Sequence, residues 1–150
     1  MTDEEHRASS AIRATLAACT QAGDARRADV YAAAFTIDGV LDLGDRRLDG
    51  REAIREWMAA PSPIARPDAA VASPGFVSHH LTTCRIDVTG ATAATVRTYW
   101  FVITAVGLDH SGYYADQFRC ENGAWLIAHR RPRVLWVAPN SLIAGNATPG

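Results

Sequence analysis

Apolar positions recur every three to four residues in the first third of the chain and every second residue in its last half, so helices are expected first and strands afterwards. From Asp3 to about Ala22, the residues Ala8, Ile12, Leu16 and Cys19 fall on one helical face. Gly23 is expected to stop that helix. Asp24 stands where it can cap a second helix over Ala25–Phe35, with Val30, Tyr31, Ala34 and Phe35 as its apolar stripe. Residues 38–50 (DGVLDLGDRRLDG) read as a short strand with a turn at Gly44-Asp45, and residues 50–60 (GREAIREWMAA) as a third amphipathic helix with Ile54, Trp57 and Met58 inward. Pro61, Pro63, Pro67 and Pro74 make the following stretch a loop, suited to insertions or a movable flap.

After Gly75 the period becomes two. Four long strands are expected, 76–89, 92–106, 111–121 and 124–135, joined at Thr89-Gly90-Ala91 and at Glu121-Asn122-Gly123. Asn122-Gly123 is the strongest hairpin signal in the chain. Neither period continues after Trp136, so residues 1–136 are expected to form one domain and 137–150 an irregular tail that frays or drapes over an opening. Early helices and a late antiparallel sheet predict an α+β fold with the helices on one face of the sheet. A strongly curved sheet would enclose a pocket between its concave face and the helices.

Alternation assigns the side chains to faces. On the first long strand the odd set carries Arg85 and Asp87, so the even set, Phe76, Ser78, His80, Thr82, Cys84, Ile86 and Val88, is the one expected to be buried. His80 then points inward and His79 outward. The corresponding sets are Ala94, Val96, Thr98, Trp100 and Val102 on the second strand, and Gly112, Tyr114, Asp116, Phe118 and Cys120 on the third. On the last strand Trp125, Ile127 and His129 compete with apolar Leu126 and Ala128, and the parity is open. Arg85, Arg97 and Arg119 fall on the outer face with Tyr99 and Tyr113, where they suit a polar dimer contact.

A chain of 150 residues, 48% hydrophobic, supports one core of ordinary size. With 15 basic and 16 acidic residues it has no phosphate-tracking surface, so nucleic acid is not an expected partner. The start, MTDEEHR, lacks the basic end and apolar centre of a secretory signal, and a cytoplasmic location is expected. The longest apolar run, Tyr99 to Leu108, is about half of what a bilayer crossing needs, so no membrane span is expected. Cys19, Cys84 and Cys120 lie far apart in no CxxC spacing and read as buried thiols. Neighbouring His79 and His80 cannot share a metal from a regular strand, and no HExxH spacing occurs, so no metal is expected. GxSxG, GxGxxG and GxxxxGK[ST] are likewise missing.

A buried imidazole or carboxylate needs a partner or a purpose. From the residues alone, His80 is either a core histidine satisfied by a carbonyl or a catalytic base. Asp116 is either paired with Arg130 or Arg131 across the hairpin or turned to the pocket. Asp24 is either a helix cap or a site carboxylate. Tyr114 and Trp100 are either core aromatics or pocket walls.

The phrases AGDARRADVYAAAFTIDGVLDLG, LDGREAIREW, SHHLTTCRIDVTGATAATVRTYW and YYADQFRCENGAWLIAHRRPRVLW resemble the SnoaL-like branch of the nuclear transport factor 2-like superfamily, over about residues 8 to 136. The resemblance implies a curved sheet wrapped by three helices into a cone with a hydrophobic cavity, and a homodimer or higher homo-oligomer formed through the outer face of the sheet. Scytalone dehydratase, bile acid dehydratase, steroid isomerases, limonene epoxide hydrolase, polyketide cyclases and plain ligand binders share it. In the dehydratases a carboxylate after the first helix holds a histidine at the start of the first long strand, and Asp24 and His80 fall at those positions. Two departures stand out: a second histidine of scytalone dehydratase falls near Thr104, and the tyrosine of bile acid dehydratase falls at Cys19.

The resemblance implies a cofactor-independent lyase or isomerase acting on a hydrophobic cyclic small molecule, with His80 as base and Asp24 as its orienter. Tyr114 or Asp116 would be the polar partner across the cavity, and Trp100, Thr98, Trp57, Cys19 and Phe76 would complete the substrate wall. The alternatives are a non-catalytic binding or dimerisation domain and, lowest, an epoxide hydrolase, which would start from Asp116 with Arg97 or Arg130.

Overall fold

A computed structural model describes residues 1–61 and 76–143. The expected proline loop, with Pro63, Pro67 and Pro74, lies outside the described residues, as do residues 144–150 of the tail.

Helix α1 (Asp3–Asp24) opens on a capping box, in which the Glu5 amide donates to Thr2 Oγ1 (3.1 Å) and the Thr2 amide to Glu5 Oε2 (2.7 Å). Its buried face is Ala8, Ile12, Leu16, Cys19 and Ala22. Gly23 does not stop it. A side chain there would press on the Tyr31 ring, so glycine lets the following segment pack close while the helix continues to Asp24. The reversal is made by Arg26, whose φ of +56° lies in the left-handed region. Helix α2 (Ala28–Ala33) is therefore shorter than the pattern suggests; its N-cap is Arg27, with no side-chain cap, and Asp24 is released for another task. Tyr31 and Ala32 are buried, whereas Val30 is exposed.

Strands β1 (Phe35–Asp42) and β2 (Arg47–Asp49) form the short hairpin, and α3 (Arg51–Ala59) buries Ile54 and Met58. Strands β3 (Val77–Gly90), β4 (Ala93–Thr104), β5 (Gly107–Glu121) and β6 (Ala124–Val137) follow. Asn122 and Gly123 both take positive φ, as a two-residue hairpin turn requires. The sheet order is β2-β1-β6-β5-β4-β3, antiparallel throughout except that β1 lies parallel to β6. The helices pack on one face of this curved sheet in an α+β cone. The main core joins α1, α3 and the sheet through Ile12, Leu16, Phe35, Ile54, Phe118 and Ile127.

The alternation on β4 runs as expected, with Ala94, Val96, Thr98, Trp100, Val102 and Thr104 all buried. On β3 it does not. Leu81 pairs with Trp100 and Cys84 with Thr98, so three steps on β3 face two on β4, and the extra residue inverts the parity. Cys84, Ile86 and Val88 point to the core as expected, but before the bulge it is Val77, His79 and Leu81 that turn inward. The expected inward orientation of His80 and Phe76 is thereby corrected: both are exposed, Phe76 at 57%.

Similar irregularities mark the other strands. Asp109 is the extra residue between Val102↔His110 and Ile103↔Leu108. Leu135 and Ala128 are the extra residues of β6. The Ala128 bulge resolves the parity of the last strand, with Trp125 and Ile127 inward before it and Arg130 inward after it. Residues 138–143 are held down, with Ala138 and Ser141 buried.

At Gly112 an added Cβ would stand 1.9 Å from the Arg133 carbonyl oxygen and 2.8 Å from Trp100 Cζ2. Backbone on one side and a packed indole on the other leave nowhere to yield. Gly112→Ala is expected to cost roughly 3 kcal/mol or more, or to prevent folding; chemical denaturation checks it, and a stability within 0.5 kcal/mol of the parent would contradict the packing described here.

Candidate active site

A cavity of about 240 Å³ opens between the helices and the concave face of the sheet. Its wall is mostly apolar, with Leu41, Leu43, Trp57, Met58, Val77 and Val134, and its polar groups are few. They are Asp24, His79, His110, Tyr31, Tyr114 and Arg130, with Thr20 and Arg26 beside them.

Asp24, in the last turn of α1, reaches the start of β3. Its Oδ1 lies 2.6 Å from His79 Nδ1, and its Oδ2 accepts from the His79 backbone amide at 2.8 Å. One carboxylate thus grips both the ring and the backbone of the same residue. With Nδ1–H donating to Asp24 Oδ1, Nε2 is left as the basic nitrogen. The imidazole that meets Asp24 is therefore the neighbour of the expected one. His80 instead stacks on Phe101 on the outer side (5.0 Å between centroids) and pairs with Ser78 Oγ at 2.9 Å.

A second imidazole lines the same cavity. His110 on β5 has Nδ1 2.7 Å from Asp109 Oδ1, and its ring packs edge-on against Trp100 at 5.5 Å. His79 packs on the same indole at 6.1 Å. Burial lowers the pKa of His110 and so favours its neutral form, a bias opposed by Asp109 and reinforced by His79. β5 starts at Gly107, whereas a strand starting at residue 111, as the pattern predicts, leaves out His110. The inward alternation 118, 116, 114, 112 runs back to it. For His79 the available signal was the shift of apolar parity from Val77 and Leu81 to Cys84, Ile86 and Val88.

The other expected site residues divide into two layers. Trp57, Trp100 and Tyr114 line the cavity. Asp116, Thr98 and Cys19 are buried beneath it and are not among its wall residues. Asp116 is held by Arg130 through two parallel bonds, Nε to Oδ1 at 2.9 Å and Nη2 to Oδ2 at 2.8 Å, with both side chains almost wholly buried. Thr98 donates its hydroxyl to Cys84 Sγ. Cys19 lies 3.9 Å from Arg130 Nη1, and burial raises its thiol pKa to about 11. The Arg130 guanidinium, which does line the cavity, lies 3.9 Å from the centroid of the Tyr114 ring. Burial pushes the phenols of Tyr31 and Tyr114 well above their ordinary pKa, so both remain donors. Among the described residues no group of three or more His, Cys, Asp or Glu side chains converges as metal ligands.

The SnoaL-like domain pattern matches residues 4–131. The chain belongs to the SnoaL-like domain family. No curated protein sequence matches this SnoaL-like chain. Among solved structures it is similar to a variant of Rv3472, a Mycobacterium tuberculosis protein of unknown function, at 28% identity and a TM-score of 0.75, covering 95% of this chain and 80% of that one. It is also similar to a candidate scytalone dehydratase of Novosphingobium aromaticivorans (22% identity, TM-score 0.78, 99% and 97% covered). A nuclear transport factor 2-like protein with a cystatin-like fold from the same organism gives 20% identity and a TM-score of 0.74, with 90% and 86% covered. At such identities the last two establish the fold. No described helix of the SnoaL-like domain is long and apolar enough to cross a membrane.

Two buried carboxylates can be tested by stability. Asp116→Asn leaves the Arg130 charge without its partner and is expected to cost about 3–5 kcal/mol, whereas replacing both residues together with apolar ones of similar volume should recover most of the loss; a double-mutant cycle of unfolding free energies measures this. Asp109 is buried, which by itself raises its pKa, but donors from Ser141, Leu142, His110 and Thr104 hold it down at about 2. A depressed pKa stabilises the fold fully above the unfolded value near 3.8 and ceases to do so as the pH falls towards 2. The unfolding free energy of Asp109→Asn should therefore fall less between pH 5 and 2 than that of the parent, by on the order of 2 kcal/mol.

Proposed function

We propose that this protein is a cofactor-independent lyase or isomerase, and that it dehydrates a hydrophobic cyclic β-hydroxyketone. The observation that carries the reading is the Asp24–His79 pair, an imidazole oriented by a carboxylate at the wall of an apolar cavity. His79 Nε2 takes the proton from the carbon next to the substrate carbonyl. The electron pair moves towards that carbonyl, and the developing oxyanion is met by buried donors, the phenols of Tyr114 and Tyr31 and the guanidinium of Arg130. The imidazolium then returns its proton to the departing hydroxyl, the C–O bond breaks, and water leaves behind a conjugated double bond. Asp24 keeps the ring in one tautomer and stabilises the charge it carries meanwhile. His110 offers a second nitrogen acceptor to a substrate hydroxyl.

The cavity volume lies just below the usual range for ligand pockets, about 300–1,000 Å³, which favours one- or two-ring substrates over four-ring ones. The candidate scytalone dehydratase among the similar structures supports dehydration over isomerisation or ring closure. Epoxide opening is disfavoured, because Asp116 is buried, held by Arg130 and absent from the cavity wall, so it does not meet a water beside the substrate.

Turnover of a panel of one- and two-ring hydroxyketones, followed by absorbance of the conjugated product, tests the assignment. His79→Ala is expected to lose about 100- to 10,000-fold in kcat/KM with its Tm within a few degrees of the parent. Asp24→Asn should lose activity in the same direction, and His80→Ala should retain it. A His79→Ala variant as fast as the parent on an accepted substrate would remove the mechanism.

A further inference from the structure

Asp109 does more than hold an imidazole. As the bulge residue of β5 it has no partner on β4, and its fully buried carboxylate accepts four hydrogen bonds. Two come from the sheet, Thr104 Oγ1 at 2.9 Å and His110 Nδ1 at 2.7 Å. The other two come from the segment after β6, Ser141 Oγ at 2.6 Å and the Leu142 amide at 2.9 Å. A carboxylate has about four lone-pair sites, and all are taken. A fifth link joins the same two stretches, since the Ala138 amide donates to the Asp109 carbonyl oxygen at 2.8 Å. One residue further along, Ile143 lines the cavity.

We propose that Asp109 is a positioning residue through which the C-terminal segment Ala138–Ile143 sets the state of the His110 imidazole. The inference rests on the reading of His110 as a group that faces substrate. While Ser141 and Leu142 are docked, the negative charge of Asp109 is shared among neutral donors. That sharing disfavours the imidazolium, so the docked segment keeps His110 neutral, with its proton on Nδ1 and, among the described residues, no partner at Nε2. When the two donors are removed, Asp109 turns more fully to His110 and the ring gains a proton more easily. The coupling is reciprocal: charging His110 loosens the segment, and a ligand seated against Ile143 that favours docking lowers the basicity of His110. The other ionisable groups that line the cavity with this ring are His79 on β3 with Asp24 of α1, Arg26 after α1, Tyr31 of α2, Tyr114 on β5 and Arg130 on β6, and among the described residues none of them bonds to the segment.

The full-length chain labelled with ¹⁵N-histidine tests this by long-range ¹H–¹⁵N NMR titration of its imidazoles, without any substrate. In the parent, His110 should carry its proton on Nδ1 and titrate below an ordinary histidine. In Ser141→Ala combined with Leu142→Pro, which removes both donors, the His110 pKa should rise by at least about half a unit while His79 titrates as before. Ser141→Ala alone should move it the same way by less, and serves if the double variant does not fold. A His110 titration unchanged by loss of these donors overturns the proposal, as does an equal shift at His79, which would signal general loosening. These outcomes do not depend on turnover, so failure of His79 as the base would leave them standing.

Discussion

The pleat of a β-strand turns successive side chains to opposite faces, and the site of this protein depends on where that alternation is interrupted. A regular β3 would send His79 out of the cone together with Val77 and Leu81. The extra residue between Leu81 and Cys84 lets one strand bury its odd positions at one end and its even positions at the other. The same device at Asp109 places two consecutive ionisable residues, Asp109 and His110, on the buried side of β5. At Ala128 it hands the core from Ile127 to Arg130. Bulges also bend the strands that carry them, so the irregularities that aim these side chains contribute to the curvature that makes room for them.

Around this cavity three carboxylates are each tied to one basic side chain. Asp24 holds His79, Asp109 holds His110, and Asp116 holds Arg130, each through short bonds. The three pairs differ in what they leave open. Among the described residues the two imidazoles each retain one nitrogen without a partner, whereas Asp116 spends both oxygens on Arg130 away from the cavity wall, and only part of the guanidinium remains for a ligand. An apolar wall containing fixed dipoles is suited to stabilising charge that develops during a reaction, because little needs to reorganise when it appears. Trp100 is the packing centre of this arrangement, touching His79, His110 and Tyr114 through its ring.

Much of the architecture is legible in the sequence, because periodicity summed over ten or more residues averages out local exceptions. α1, α3 and the four long strands follow their apolar patterns, and the Asn122-Gly123 turn follows from the chemistry of its two residues. The candidate site is less legible because it sits where the period breaks. Alternation carried through Thr82 and Thr83 as though the strand were regular selects His80, one position from the residue that meets Asp24. Asp24 does not cap α2, because α1 continues through Gly23 to Asp24 and the turn is made at Arg26. The Asp116–Arg130 pair was one of two partnerships compatible with the hairpin, and only the Ala128 bulge decides between them. The parallel pairing of β1 with β6 has no local signal, as it joins residues about ninety positions apart.

That parallel pairing also bears on how the chain reaches its native form. During synthesis the hairpin of β1 and β2 emerges early, yet the edge of β1 opposite β2 has no strand to lie against until β6, residues 124–137, has been made. Until then a row of unmatched backbone groups beside Phe35 and Leu41 is open to association with other chains. Closing so long a loop makes folding slower than a meander of neighbouring hairpins would be. Completion of the cone is thus a late event in the life of the nascent polypeptide, and its last long strand is what seals the earliest one.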